Sequence, residues 1–221
     1  MVEDKTMDST LGARVPKQQR SRETQEKIFA AALEVFAERG FDGASMRQIA
    51  ERAGVGQPLV VYHFPAKEDL WVATVKWILN RFLERFRPNF ESLEGLDPGI
   101  RLSLIFQDFV RFCAGTPELL PIMIDANQRD GPNLAKVVED QLRPTYNSIR
   151  GLIEAAQESG AVPPGDPALI YYSLVAVSSM VFSLTREFKI MTGRDPLEPD
   201  MVEAQAGLLA RLFFPGLEHA G

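Results

Sequence analysis

The sequence is short of the residues that perform covalent and metal chemistry. Its 221 residues contain one cysteine, Cys113, and two histidines, His63 and His219. A lone cysteine excludes an intrachain disulfide and a cysteine metal cluster, and it fits a reducing, cytoplasmic setting. The histidines stand far apart with no Glu-x-x-His pattern, so no metal site is expected. No glycine-rich phosphate cradle appears either, and no cofactor is implied. With no candidate catalytic residues assembled, the chain does not read as an enzyme. Long apolar runs are also missing: the most apolar stretch, 168–184, is interrupted by Ser173, Ser178, Ser179 and Ser183. It falls short of the roughly 20 apolar residues a membrane span needs and reads as a buried helix. Residues 1–22 lack the apolar centre of a signal peptide, so no export is expected. No internal repeat, low-complexity tract or strand-like alternation is present, which leaves an all-α fold.

Hydrophobic residues make up 45% of the chain, enough to build a core, and the formal net charge is -6. That balance argues against a protein coating nucleic acid over its whole surface, while leaving a local patch open. Residues 9–22 carry Arg14, Lys17, Arg20 and Arg22 with no acid. Residues 1–21 are therefore expected to form a basic, flexible arm suited to phosphate contacts.

From Glu23 to Arg39 the apolar residues Ile28, Ala31, Ala32, Val35 and Phe36 recur at helical spacing. Gly40 should stop that helix, Phe41 should tuck back into the core, and Asp42-Gly43 should turn the chain. A second helix opens at Ser45, whose hydroxyl and the Gln48 side chain are spaced for a capping box. Ile49, Ala50 and Ala53 face inward, Gly54 ends the helix, and Val55 plugs the turn. Gly56 and Pro58 then start a third helix over 57–64, with Val60 inside and Gln57, Val61, Tyr62 and His63 outside. Two short helices across a tight turn at 45–64 form a helix-turn-helix. A fourth helix follows over 67–87, ended by Pro88.

The ordered set of FAERG at 36–40, Phe41, Ser45, IAERAGV at 49–55, YHF at 62–64 and Lys67-Glu68 resembles the DNA-binding domain of the TetR family of transcriptional regulators. The likeness covers about 22–82. It implies a homodimer that binds double-stranded, palindromic operator DNA through its N-terminal domains, joined to a divergent helical domain, 83–221, that senses a small-molecule effector. A repressor released by an apolar or aromatic effector is the expected function. The alternative is a helical dimer that binds a small molecule without reading DNA. By the same resemblance Tyr62 and His63 are phosphate contacts, Gln57 and Pro58 enter the groove, and Lys67 adds a cation. Ser45 can cap or contact phosphate, Arg47 can reach the backbone or pair with Glu51, and Val61 can meet a thymine methyl. Gly56 and Ala66 replace the serines usual at their positions and make weaker caps.

The remaining chain is helical by pattern: 100–114, 118–127, 133–159 with a kink at Pro144, 166 to about 191, and 199–214. The family resemblance pairs the last two long helices of each copy in a dimer bundle. Phe106, Phe109, Phe112, Met123, Tyr146, Tyr172, Met180 and Phe182 are candidate walls of an effector pocket. Asn127, Gln128 and Arg129 are candidates for its polar recognition. Cys113, on an apolar helix, reads as an inert core thiol.

Overall fold

The computed structural model describes residues 17–129 and 132–215. The basic arm up to residue 16, with Arg14, lies outside them, as do Asp130, Gly131 and His219. Among the described residues every regular element is helical.

Helix α1 (Lys17–Gly43) starts before Glu23, so Lys17, Arg20 and Arg22 ride on a helix rather than on an extended arm. At Gly40 the backbone leaves the helix with φ 67 and ψ 174, a conformation that costs a side chain dearly, and the chain turns where expected. Phe41 then folds inward to 9% exposure. Helices α2 (Met46–Ala53) and α3 (Gln57–His63) follow across the Gly54 turn. Ile28, Ala32, Phe36, Ile49, Ala50 and Val60 share one core at 2% exposure or less. Each fully buried large side chain there contributes about 1.5–3 kcal/mol.

Helix α4 (Lys67–Ser92) is longer than expected and runs through Pro88. One missing amide removes one helical bond, and the turns on either side persist. Pro98 and Gly99, expected in a loop, form the first turn of α5 (Pro98–Gly115). Asp97 caps that turn by accepting from the Gly99 and Ile100 amides at 2.8 and 3.2 Å, and a proline is tolerated there because first-turn amides have no helical partner.

Helix α5 is the central post, packed against α8 (Arg143–Glu158), α9 (Pro167–Ser183) and α11 (Pro199–Phe213). Between α7 (Pro132–Val137) and α8 the backbone makes a π-helical turn, Val138–Leu142. Pro144 stands in the first turn of α8, and its missing amide deprives the carbonyl four residues back, at Asp140, of its α-helical bond. The kink anticipated at Pro144 thus takes the form of a wider turn.

The stretch expected to be one helix from 166 to about 191 is two. Helix α10 (Thr185–Thr192) leaves α9 at 70° around Leu184. Hydroxyls supply the reason. Ser178 and Ser179 donate to the Leu174 and Val175 carbonyls at 2.7 Å, and Thr185 donates to Phe182 O at 2.5 Å. Side chains that occupy helical carbonyls favour bending and termination. Nor is α9 wholly buried: Leu174, Ser178 and Phe182 are inside, while Leu169 and Tyr172 are two-thirds exposed. No single helix among the described residues is long and apolar enough to cross a membrane.

Candidate DNA-binding surface and effector cavity

The helix-turn-helix is fixed by local chemistry. Ser45 Oγ accepts from the Gln48 amide at 3.3 Å, and Gln48 Oε1 accepts from the Ser45 amide at 3.0 Å, completing the capping box. Gly54, at φ 67, ends α2 and donates to the Glu51 carbonyl, while the Val55 amide reaches Ala50 O at 3.0 Å. A bidentate ion pair, Arg52 to Glu38 at 2.6 and 2.9 Å, clamps α2 onto α1. Hydrogen bonding from Arg52 holds the Glu38 carboxyl below the usual carboxylate range.

With the scaffold so held, α3 presents Gln57, Pro58, Val61 and Tyr62 outward. Tyr62 is 80% exposed, an unusual position for an aromatic side chain on a folded surface. His63 is half-buried, edge-on to Tyr62, with Nδ1 3.5 Å from the Gln25 amide nitrogen of α1. Arg47 is exposed and sits 3.8 Å from Glu51, a surface pair that holds it only loosely.

Lys67 has another occupation. Its ammonium donates to Phe41 O at 2.7 Å and Ala44 O at 3.0 Å and lies 4.4 Å from the Phe41 ring centroid. It ties the start of α4 to the turn before α2, so its charge is committed to the fold rather than presented at the surface.

The second site is a cavity of about 710 Å³ among α4, α5, α6 (Leu119–Asn127), α7, α8 and α9. Phe109, Met123, Asn127, Tyr146, Tyr172 and Met180 all line it, joined by Leu79, Leu134 and Val175. Phe106 does not: it is 3% exposed and packs edge-on behind Phe109, with centroids 6.1 Å apart. Phe112 and Phe182 are likewise core residues away from this wall. Gln128 and Arg129 also fall outside it. Arg129 turns back to Asp125, 2.5 Å away, and lies over the Phe41 ring. The sequence reading missed Tyr171 and Gln141, which the cavity includes. Cys113 is in the wall, its thiol pushed up to about 12 by burial. Among the described residues no group of three or more His, Cys, Asp or Glu is placed to hold a metal ion.

The two sites are joined through α6 (Leu119–Asn127). One face of α6 gives Leu119, Leu120, Met123, Ile124 and Asn127 to the cavity, and Asp125 on the same helix accepts from the Phe41 amide at 3.0 Å.

Residues 28–74 match the family model for bacterial regulatory proteins, tetR family. The head is a TetR-family DNA-binding domain. It makes the chain a DNA-binding transcriptional regulator of the helix-turn-helix kind. Beyond the head, the chain is 29% identical over 195 residues to the transcriptional regulator RutR of Escherichia coli K12, covering 83% of this chain and 87% of the relative. Two solved TetR-like structures share the fold. One is AibR with isovaleryl coenzyme A and operator DNA, TM-score 0.71 at 18% identity, covering 87% of this chain and 98% of that one. The other is FadR of Bacillus subtilis with stearoyl-CoA, TM-score 0.63 at 22% identity, covering 85% and 97%.

Proposed function

We propose that the protein is a cytoplasmic homodimeric repressor that binds a palindromic operator through residues 22–82 and is released by an apolar or aromatic effector bound within residues 83–221. The observation that carries the reading is the exposed α3 face on a rigidly capped head: an 80% exposed Tyr62 beside Gln57, Pro58 and Val61. Tyr62 and His63 hold phosphates and set the register, with Ser45 and Arg47 assisting from α2. Gln57, Pro58 and Val61 reach base edges, Gln57 by pairing with adenine and Val61 by touching a thymine methyl.

A two-fold dimer places its two α3 helices in successive major grooves about 34–36 Å apart. An effector that binds more tightly to a conformation with a different spacing shifts the population away from the DNA-bound form. Helix α6 is the element on which both ends of that change act, since it walls the cavity and holds the Phe41 turn. Leu169, Tyr172, Met180, Leu208 and Leu212 on α9 and α11 form the apolar dimer face.

Selection of bound duplexes from a random DNA pool tests this reading. The expected product is an inverted repeat whose half-sites lie on one face of the double helix. Recovery of no sequence preference at low salt would leave the protein without an operator and refute it.

A further inference from the structure

We propose that the effector is an uncharged carbonyl compound, an ester, ketone or lactone with an apolar body, whose oxygen is read by the hydroxyls of Tyr146 and Tyr171. The inference rests on the effector reading of the cavity and narrows it from the charges and donors of the wall.

Among the described residues no Asp, Glu, Lys or His lines the cavity. The single cation is Arg143, and Glu139 already holds it through both Nε and Nη2 at 2.6 and 2.5 Å, outside the cavity lining. Cys113 and Tyr171 are both pushed up to about 12 by burial, so neither carries charge near neutral pH. The wall's one cation is therefore already paired, and a ligand's carboxylate or phosphate inside it loses water and meets no unpaired counter-charge.

Hydrogen-bonding capacity is just as restricted. Thr145 donates to Gln141 O, Ser179 to Val175 O and Ser183 to Ser179 O, so these hydroxyl protons are spent on their own helices. Asn127 spends an amide proton on Met123 O at 2.8 Å. What remains is the Thr116 hydroxyl, the Gln141 amide and a tyrosine cluster. Tyr146 and Tyr171 meet edge-on with centroids 5.1 Å apart, and Tyr171 and Tyr172 at 5.3 Å. Neither the Tyr146 nor the Tyr171 hydroxyl has a hydrogen-bond partner among the described residues, and both rings line the cavity. Phenol hydroxyls on the wall of an otherwise apolar space call for an acceptor, and a carbonyl oxygen supplies one without charge. The Gln141 side chain adds a further donor in the same wall. The two solved structures that hold coenzyme A thioesters share the fold only, and a wall whose one cation is already paired sets this ligand apart from a coenzyme A conjugate.

The test measures binding of methyl decanoate, decanoate and decanoyl-CoA to the full-length protein at pH 8 by calorimetry and thermal shift. The ester is expected to bind about a hundredfold or more tighter than decanoate, the cost of burying an unpaired ion. Tyr146→Phe with Tyr171→Phe should weaken the ester about tenfold, the effect of losing one or two hydrogen bonds. The melting temperature without ligand should stay unchanged, because no protein partner is lost. Decanoate or the thioester binding as tightly as the ester overturns the neutral class while leaving an effector cavity. Binding of none of the three overturns both the neutral class and the effector reading.

Discussion

The carboxylate of Asp125 accepts a hydrogen bond from the Phe41 backbone amide at 3.0 Å, across 84 residues of sequence. The same carboxylate pairs with Arg129, and its Oδ1 lies 3.0 Å from where a β-carbon on Gly40 would stand. One side chain thus satisfies the amide just past the Gly40 break in α1, neutralises a cation and packs against a glycine at positive φ. Asp125→Ala is expected to cost about 1–2 kcal/mol in urea denaturation, because it leaves the Phe41 amide without an acceptor. Gly40→Ala should cost about 1–3 kcal/mol from the positive φ together with the tight contact. In the double variant the losses should sum to less than additive, since removing Asp125 relieves the contact and leaves only the backbone strain. Full additivity would show that the two positions do not touch.

Tyr62 and Lys67 should separate cleanly when substituted. Tyr62 packs little, so Tyr62→Ala is expected to change stability by less than about 0.5 kcal/mol while weakening DNA binding about equally across sequences. Lys67→Ala removes the donor for Phe41 O and Ala44 O and is expected to cost about 1–2 kcal/mol of stability. Paired denaturation curves and DNA titrations at several salt concentrations make the comparison. If Lys67→Ala leaves stability intact and lowers the salt slope by about one, its ammonium serves a phosphate instead.

The head of the protein was legible in sequence because its determinants are local: the Ser45 and Gln48 box, the Gly54 stop and the buried Ile49 and Val60 need only neighbours within a few residues. Phe109, Met123, Tyr146, Tyr172 and Met180, five of the eight candidate walls, line the cavity and were legible as well, since bulky side chains at helical spacing stand out in sequence. Periodicity gives the inward face but not the depth. Phe106 therefore looked equivalent to Phe109 although it packs behind it. The breaks were harder to read. Leu184 ends α9 through hydroxyls that bond back to the helix, and those bonds depend on rotamers rather than residue order. Lys67 and Arg129 looked like free cations because their partners, the carbonyls of Phe41 and Ala44 and the carboxylate of Asp125, come from packing between elements. Tyr171 sits next to Tyr172, so a pair of adjacent tyrosines was the available signal for the polar part of the cavity.

Cys113 gives a pH dependence with a definite sign. Burial raises its thiol from 9.0 to about 12, so between those values the unfolded chain loses this proton while the folded chain keeps it. The resulting stability is complete below pH 9 and is lost as pH rises toward 12. Tyr171, raised from 10.0 to about 12 by burial, adds a loss that starts higher. Denaturation midpoints should therefore begin to fall near pH 9 in the native sequence and nearer pH 10 in Cys113→Ala. Iodoacetamide at pH 8 should label Cys113 only in denaturant. Rapid labelling of the native protein would place the thiol at an opening of the cavity.

The exposed apolar face of α9 and α11 makes the proposed dimer directly testable. Leu169, Tyr172 and Leu212 are 69%, 66% and 59% exposed, and Leu208 lies one helical turn from Leu212 on the same side. An isolated chain rarely leaves so continuous an apolar stripe in water. Tyr172, Ala176, Met180 and Ser183 belong both to this side of α9 and to the cavity wall, so a second copy seated here also covers the rim of the cavity. Leu169→Asp with Leu212→Asp should turn a sedimenting dimer into a monomer, because a buried unpaired carboxylate opposes association at each site. The monomer should bind operator DNA weakly, since one head engages only one half-site. It should also unfold at lower denaturant, with a midpoint that no longer rises with protein concentration. A double variant that still sediments as a dimer would move the two-fold axis to another face.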